Sequence, residues 1–410
     1  MFDSALQLWQ ARRGLFTNVQ PPFGAVVWSV LLRMRLQPGA LLVMHVCALC
    51  AGLGLLAAAV RADLRWPALI VPMLVLWPPF LLVIAHVWID VGLAAALVLG
   101  FGLLAHAQAR ESATFAWIAL VPLFYAAAVR HNGLAALPPA LWLWATLVAR
   151  PNASRVRRFA IAFLALALVG FSAHTVNRLL ATEQMTVWAP TAIWDLAAAS
   201  VASDRMLVPA GVRGPELSVA ELRGALDHDR ALTLLVGTRS GINAGLISLI
   251  PEPARTELFR SWLLLPWTEP RAWAEHRLAV AWSLFGPQRA AKPMEMFMAA
   301  GVVDFRDNPH IAANDSGLNR ALIAFGRAWR TSLLCTPLIY LALGILGMAL
   351  APRLAPAQCE LIVAIAVSGL LYAAPLIVVA PSAEYRYAFW PMLSGALALL
   401  LALSAQRRSA

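Results

Sequence analysis

Charged side chains are scarce in this 410-residue chain: they make up 13% of its residues, whereas hydrophobic residues make up 61%. Soluble domains carry about 25% charged residues, and the mean hydropathy here is +0.71. This composition excludes an ordinary soluble domain and predicts an all-α polytopic membrane protein. Lysine is almost absent too, because Lys292 is the single lysine among 32 basic residues. The arginine bias indicates a GC-rich, bacterial genome.

Cysteine is also rare, and the positions of the cysteines do not favour a disulfide, redox or metal site. The four cysteines lie in or beside apolar stretches, so no disulfide framework is expected in the polar part of the chain. Cys47 and Cys50 have the spacing of a redox or metal pair, but their place within an apolar run favours two small apolar helix residues.

The net charge of +11 is unevenly distributed along the chain. Residues 182–330 hold 15 basic and 15 acidic side chains, so the remaining 17 basic and 6 acidic residues supply the whole excess. A nucleic-acid footprint would be a basic cluster on one soluble face. The basic residues instead flank apolar stretches, which indicates membrane topology and no nucleic-acid partner.

Nine apolar stretches have, or approach, the length of about 20 residues that a bilayer span requires. They are residues 40–60, 66–85, 89–108, 113–129, 133–149, 159–181, 332–350, 359–380 and 387–405. The sequence therefore predicts four parts. These are a first loop at 1–39, a bundle of six spans at 40–181, a large polar insert at 182–330, and a bundle of three spans at 331–410.

Arginines near the ends of these stretches predict which side each loop faces, because short cytoplasmic loops collect Lys and Arg. The basic residues of every second loop and of the C-terminus are Arg61, Arg65, Arg110, Arg150, Arg155, Arg157, Arg158, Arg353, Arg407 and Arg408. With these sites inside, residues 1–39, the insert and the remaining loops face outward. In a bacterium, that side of the inner membrane is the periplasm.

Residues 21–37 are too short, and too basic at their end, for a comfortable span. A span here would also invert every later loop. We therefore expect an amphipathic helix in the outer interface, initiated by Pro21 and Pro22, with Trp28 at headgroup depth.

Polar residues that interrupt apolar stretches gather on the predicted outer side. Ionisable groups at membrane depth cost about 2.5–3.5 kcal/mol to insert and are candidates for function. The outward set comprises Asp3, Gln7, Gln10, Asn18, Gln20, His86, Asp90, Arg130, His131, Asn132, Glu384 and Arg386. Each also has a structural explanation, such as helix capping by Asp90, snorkelling by Arg130 or an exposed Glu384–Arg386 ion pair. Those explanations do not account for the location of all these residues on the same predicted side of the membrane.

Four short motifs on that side resemble the GT-C superfamily, the polytopic glycosyltransferases that use polyprenyl-phosphate sugars. The first loop has Asp3-Ser4, Gln7, Gln10-Ala11 and Gln20-Pro21-Pro22. Later motifs are Trp88-Ile89-Asp90, Arg130-His131-Asn132 with Leu137-Pro138, and Glu384-Tyr385-Arg386-Tyr387. The resemblance covers 1–181 and 331–405. It departs from the family at Gln20, where the family has His, and at Ile89, where it has Lys.

The resemblance implies a GT-C-like bundle and sugar transfer from a polyprenyl-phosphate donor to a glycan, lipid or protein acceptor at the periplasmic face. It assigns the general base to Asp3, with Asp90 as a second acid. Arg130 and Arg386 are the choice for the leaving phosphate. Gln20, His86, His131, Asn132 and Glu384 complete the candidate binding set. The histidines are candidate ligands of phosphate or of a divalent metal ion, but no spacing specifies a metal.

GT-C proteins also begin with a transmembrane helix that precedes the aspartate loop. Because no such helix precedes Asp3 here, we expect that the chain starts one helix too late. Asp3 would then be poorly held near a free terminus. The resemblance therefore leaves the activity of this short form open.

Two other function classes remain. An O-antigen ligase or polymerase would place its key residues in the insert, for example at Arg239, His228, Arg277 or His310. A transporter is less favoured, because acids sit at one rim while the span centres are nearly free of charge.

Overall fold

The computed structural model describes residues 2–59, 67–149, 152–227, 229–231, 234, 242, 250–287, 304–311, 315–329 and 331–405. All helices and strands assigned in these residues are helices, and β-pairing occurs among them only at isolated bridges. The predicted all-α class is therefore confirmed. The arginines at 61, 65, 150, 407 and 408, which carried part of the topology assignment, lie outside the described residues.

The helices of the first half begin with two that precede the apolar stretches. In chain order they are α1 (Phe2–Arg13), α2 (Pro22–Arg33), α3 (Ala40–Ala59), α4 (Pro67–Met73), α5 (Pro78–Ile84), α6 (Ile89–Arg110), α7 (Ala113–Val129), α8 (Pro138–Val148) and α9 (Arg155–Leu180).

The second half contains the described helices of the insert and the final apolar helices. They are α10 (Ala189–Ser203), α11 (Val219–Ala225), α12 (Glu252–Thr268), α13 (Pro270–Phe285), α14 (Gly317–Trp329), α15 (Pro337–Leu350), α16 (Pro356–Val379) and α17 (Phe389–Ser404).

Five helical segments among the described residues are long and apolar enough to cross a membrane, judged by length and composition. They are α3, α6, α9, α16 and the segment Tyr385–Ser404, which consists of a short 3₁₀ turn and α17. Four shorter apolar segments accompany them. These helices are consistent with a multi-pass membrane protein, but the count of nine spans is not established by them.

The expectation of one continuous span over residues 66–85 is wrong. The described part of this stretch consists of α4, a 3₁₀ turn at Leu74–Leu76 and α5. Proline explains the break, because it lacks the N–H that an uninterrupted helix needs and restricts the preceding residue. Pro72 lies within α4, and α5 begins at Pro78, directly after the extended residue Trp77.

Two helices are most enclosed by the rest of the chain. In the apolar windows of α6 and of the Tyr385–Ser404 segment, 83% of the residues are buried, against 11% for α9. Glycine permits the close approach of α3 to α6, because a Cβ at Gly52 would lie 2.5 Å from the Leu99 amide nitrogen. The two enclosed helices carry the candidate site at one of their ends.

The predicted amphipathic segment at 21–37 contains α2, which begins at Pro22. Its Trp28 is buried within the protein. The indole is 2% exposed, packs with Leu8 and Leu41, and donates a 3.0 Å hydrogen bond to the Pro38 carbonyl. The packing of α1 onto α2 is responsible, and that contact was not evident from the sequence.

Candidate functional site

The turn that leads into α6 supplies the first part of the candidate site. The His86 and Trp88 rings are stacked, with centroids 4.2 Å apart. Asp90 follows in the first turn of α6, yet neither of its carboxylate oxygens accepts a hydrogen bond from the helix backbone. Its side chain is 2% exposed and forms an ion pair with Arg130, Nη2 to Oδ1, at 2.9 Å. The helix-capping explanation therefore omits its main partner.

Arg130 comes to Asp90 from the end of α7, where extended backbone terminates the helix. Its guanidinium is 14% exposed and lies 4.6 Å above the centre of the Tyr387 ring. Burial disfavours the charged guanidinium, but Asp90, Tyr372 and Tyr387 together outweigh burial and raise the pKa of Arg130. Arg130 thus points into the protein and does not snorkel outward.

Arg386 is the centre of the second part. It lies in the 3₁₀ turn Tyr385–Ala388 that precedes α17, and its side chain is 7% exposed. Nη2 is 2.5 Å from Asp3 Oδ2 and also pairs with Glu384, while Nε lies 3.9 Å from Asp90 Oδ2. One guanidinium thereby contacts three carboxylates that are distant in sequence.

Asp3 has surroundings that the sequence did not indicate. It lies in the first turn of α1, where a carboxylate also favours the helix dipole. The adjacent Ser4 hydroxyl donates a 2.8 Å hydrogen bond to the Val87 carbonyl, beside the His86–Asp90 turn. On the other side of α1, Asn308 donates to the Ala5 carbonyl at 2.8 Å. The start of α1, which carries Asp3, is thus hydrogen-bonded to two other parts of the chain.

We define the acid–arginine cluster as Asp3, Asp90, Arg130, Glu384 and Arg386. Three carboxylates face two guanidinium groups, so one negative formal charge is left over. The acids differ in access: the side chain of Asp3 is 29% exposed, that of Glu384 17% and that of Asp90 2%. Asp3 is the member best placed to meet a molecule from outside.

The remaining predicted site residues surround this cluster. A ring nitrogen of His131, Nε2, is 3.2 Å from the Asn18 carbonyl oxygen. Asn132 and Arg130 both hydrogen-bond Tyr372 of α16. Gln20 accepts a hydrogen bond from Gln7. His86 is connected to the cluster through Trp88, whose ring lies 5.2 Å from the Arg386 guanidinium carbon.

Three aromatic residues complete the cluster but were given no role from the sequence. The Tyr387 ring faces both guanidinium groups, at 4.6 Å from Arg130 and 5.4 Å from Arg386. Trp88 faces Arg386, and Tyr372 bonds Arg130. Such cation–π contacts contribute about 0.5–2 kcal/mol each. Tyr387 and Trp88 stand within motifs quoted above, so their position in those motifs was the available signal.

A divalent metal ion does not fit this arrangement. Guanidinium nitrogens already contact the three carboxylates. No group of three or more His, Cys, Asp or Glu side chains suited to a metal occurs in the part of the chain that the structure describes.

The insert contains a second buried group that the sequence did not reveal. Asp195 Oδ2 accepts hydrogen bonds from Trp262 Nε1 at 2.7 Å and from Arg277 Nη2 at 2.5 Å. His276 Nε2 lies 3.3 Å from Oδ1 of the same carboxylate. Arg277 also donates to the Ala380 carbonyl at 2.8 Å. This Asp195 network connects α10, α12 and α13 to the end of α16.

The ligase-type alternative relied on four residues of the insert. Arg277 is 3% exposed and committed to the Asp195 network, which indicates a structural role. His310 is exposed and pairs with Asp304 at 3.0 Å. His228 and Arg239 lie outside the described residues. These contacts do not favour that alternative over the acid–arginine cluster.

Comparisons with known proteins give no further assignment. No protein-family model, no curated protein and no solved structure matches the chain. The acid–arginine cluster and its surroundings are therefore the basis for inferring function.

Proposed function

We propose that the chain is a GT-C-type glycosyltransferase of the bacterial inner membrane. It would move a sugar from a polyprenyl-phosphate donor to a glycan, lipid or protein acceptor at the periplasmic face. The observation that carries the proposal is the contact of Arg386 with Asp3, Glu384 and Asp90. A phosphate-binding cation and a partly exposed carboxylate are thus adjacent, as this transfer requires.

In the proposed reaction, the acceptor oxygen attacks the anomeric carbon of the sugar. The bond from that carbon to the phosphate oxygen breaks, and the lipid phosphate departs with the bonding electrons. Asp3 takes the acceptor's proton, because a general base must reach the proton that it removes and Asp3 is the most exposed acid of the cluster.

The departing phosphate gains negative charge, and guanidinium groups suit it because their planar donors can engage two oxygens. Arg386 is the nearer choice, since it contacts the proposed base. Arg130 pairs instead with Asp90, the most buried acid of the cluster, and lies over the Tyr387 ring. We assign Asp90 and Arg130 to positioning: Asp90 fixes Arg130 and lies beside Arg386.

The proposal includes nine membrane spans, with the first loop and the insert outside. Asp90, at the start of α6, and Arg386, in the turn before α17, would then face the periplasm. The donor would enter there laterally from the lipid. The broken segment formed by α4 and α5 would count as one interrupted crossing.

The test is sugar transfer by the full chain in lipid nanodiscs, supplied with polyprenyl-phosphate hexoses and a bacterial membrane-glycan extract. Release of polyprenyl phosphate is the readout. Replacing the base, Asp3→Asn, should lower kcat about 10²–10⁴-fold, and Asp90→Asn should also lower it. Glu111→Gln, an equal charge change at the opposite end of α6, is the control and should retain activity. Full activity in both aspartate variants would contradict the proposal.

A further inference from the structure

A cleft outside the acid–arginine cluster opens between the start of α10 and α12. Its volume is about 440 Å³, within the range of roughly 300–1,000 Å³ that is usual for small-molecule sites. It is lined by Gln184, Met185, Thr186, Trp188, Arg255, Thr256 and Phe259. The lining combines aromatic faces with hydrogen-bonding side chains, which is the combination that sugars require.

Aromatic rings form one wall of this cleft. Trp188 meets Phe259 edge to face, with centroids 5.3 Å apart, and lies nearly parallel to Trp262 at 6.0 Å. Phe259 is 46% exposed, and Trp188 is half-buried. The apolar C–H face of a pyranose can pack on such rings, while its hydroxyl groups require polar partners.

The aromatic wall is fixed from behind by the Asp195 network. Trp262 donates its indole N–H to Asp195, which Arg277 also engages, and Arg277 reaches the Ala380 carbonyl. Because Asp195 and Arg277 are buried and Trp262 is hydrogen-bonded to Asp195, the ring that stacks on Trp188 is positioned before a ligand arrives. Preorganisation of this kind reduces the ordering cost of binding.

Polar side chains provide the hydrogen-bonding part of the cleft. Gln184, Thr186 and Thr256 carry both donors and acceptors, and the Thr256 hydroxyl donates to Glu252 at 3.3 Å in this structure. Arg255 is the cation of the lining and already pairs with Glu252 one helical turn away. A neutral, hydroxyl-rich ligand therefore fits this lining better than a phosphate does.

A short series of contacts leads from the cleft to the acid–arginine cluster. Asn18 holds Met185 of the cleft by two hydrogen bonds, at 2.5 Å to its amide nitrogen and 3.0 Å to its carbonyl. The Asn18 carbonyl in turn contacts His131, which is adjacent to Arg130 in the chain. The cleft and the cluster thus border the same first loop.

We infer that this cleft binds a pyranose unit of a glycan acceptor, with the ring packed on the Trp188–Phe259 wall and its hydroxyl groups on Gln184, Thr186 and Thr256. The inference rests on the proposed function and specifies its acceptor class as carbohydrate. Trp188 is here a specificity-determining residue and takes no part in the bond-breaking step.

The binding test uses saturation-transfer NMR on the full chain in nanodiscs. The probes are the neutral oligosaccharides maltotriose, mannotriose and triacetylchitotriose. Wild type should transfer saturation to the ring protons of at least one probe, and Trp188→Ala should lose that signal. Trp267→Ala, at a 74% exposed position on the same helix as Phe259, is the matched control and should keep it. Absence of signal from wild type with all three probes, or equal signal in Trp188→Ala, would overturn the inference.

A second variant guards against loss of folding in Trp188→Ala. Thr256→Val preserves side-chain shape at an exposed position and removes one hydroxyl group. It should weaken binding of the responding probe several-fold, since one hydrogen bond contributes about 0.5–1.5 kcal/mol. Unchanged binding in both variants would show that the cleft is not the sugar site.

The two proposals fail in different ways. If Trp188-dependent sugar binding is present but no polyprenyl-phosphate sugar is consumed, the cleft inference stands and the proposed transfer fails. If transfer requires Asp3 while Trp188→Ala leaves both sugar binding and the acceptor KM unchanged, the transfer stands and the cleft inference fails. The expected pattern is a raised acceptor KM in Trp188→Ala with kcat retained.

Discussion

The chain contains two buried groups of acids and arginines, and they differ in how completely their charges are balanced. In the Asp195 network, one carboxylate faces one guanidinium, and Arg277 places a further donor on the Ala380 carbonyl. In the acid–arginine cluster, three carboxylates share two guanidinium groups, and the Asp3 side chain is 29% exposed. The first group has the features of a buried ion pair that stabilises the fold. The second retains excess acid and access from outside.

The difference indicates that the acid–arginine cluster takes part in chemistry and that the Asp195 network stabilises the fold. A balanced, enclosed ion pair has little capacity to receive a proton or a phosphate, whereas breaking it leaves a buried charge uncompensated. A partly exposed acid beside a shared guanidinium can change partners when a substrate arrives. Substitutions in the two groups should therefore have opposite signatures in activity and stability.

Among substitutions outside the proposed base, the largest effect is expected from Arg386→Gln. This change leaves Asp3, Glu384 and Asp90 without their shared cation, so kcat for sugar transfer should fall at least about 10²–10³-fold, the usual effect of removing one charge-stabilising donor. Arg386→Lys keeps the charge but not the planar fork, and it should recover only part of the rate. Wild-type kcat in Arg386→Gln would contradict a role in the reaction.

Asp195→Ala should have the opposite signature. The Arg277 guanidinium would remain buried without its carboxylate, which lowers the free energy of unfolding by about 3–5 kcal/mol. Thermal unfolding in detergent measures this change. The control is Asp204→Asn, which removes an exposed pair with Arg223 at a left-handed residue that Asn also tolerates. Similar melting temperatures for the two variants would show that the Asp195 network does not stabilise the fold.

A smaller effect is expected where the network meets the cleft. Trp262→Phe keeps an aromatic ring but removes the indole donor to Asp195. Hydrogen bonds to charged groups contribute about 1.5–3 kcal/mol, so stability should fall by less than in Asp195→Ala. Thermal unfolding again provides the measurement. A loss as large as that of Asp195→Ala would mean that ring packing, and not the hydrogen bond, dominates here.

The smallest effect is expected for Asp307→Asn, on the surface segment that contacts α1. Arg13 and Trp9 both bond Asp307, and the Arg13 bond holds the pKa of that carboxyl below its ordinary value. A lowered pKa means that the contact stabilises the fold at neutral pH and is lost only as pH falls through the lowered value. Hydrogen exchange of α1 should change little at pH 7. Marked deprotection of α1 would show that this segment, and not Arg386, holds Asp3.

Members of the acid–arginine cluster were predictable because charged residues are rare in apolar sequence. Asp90, Arg130 and Arg386 each interrupt or border a hydrophobic stretch, so their rarity marked them. The helices over 40–60, 89–108 and 113–129 were equally evident from long apolar runs. Their contacts with one another were not, because ion pairs across such sequence distances depend on how the helices pack.

Other features could not be predicted for the same reason. Asp195 and Arg277 lie 82 residues apart in an insert of ordinary charge density, so the sequence did not indicate that they pair. The burial of Trp28 depends on the docking of α1, which the hydropathy of α2 does not encode. The break in residues 66–85 was overlooked because mean hydropathy is insensitive to Pro72 and Pro78, although both prolines were visible.

A double-mutant cycle on sugar transfer decides whether Asp3 and Arg386 act together at the reacting bond. Single-turnover rates are compared for wild type, Asp3→Asn, Arg386→Gln and the double variant. Residues that act as a unit are strongly non-additive. We predict that each single variant loses most of the rate and that the double variant is scarcely slower. A wild-type rate in Asp3→Asn, or two losses that simply multiply, would contradict the account.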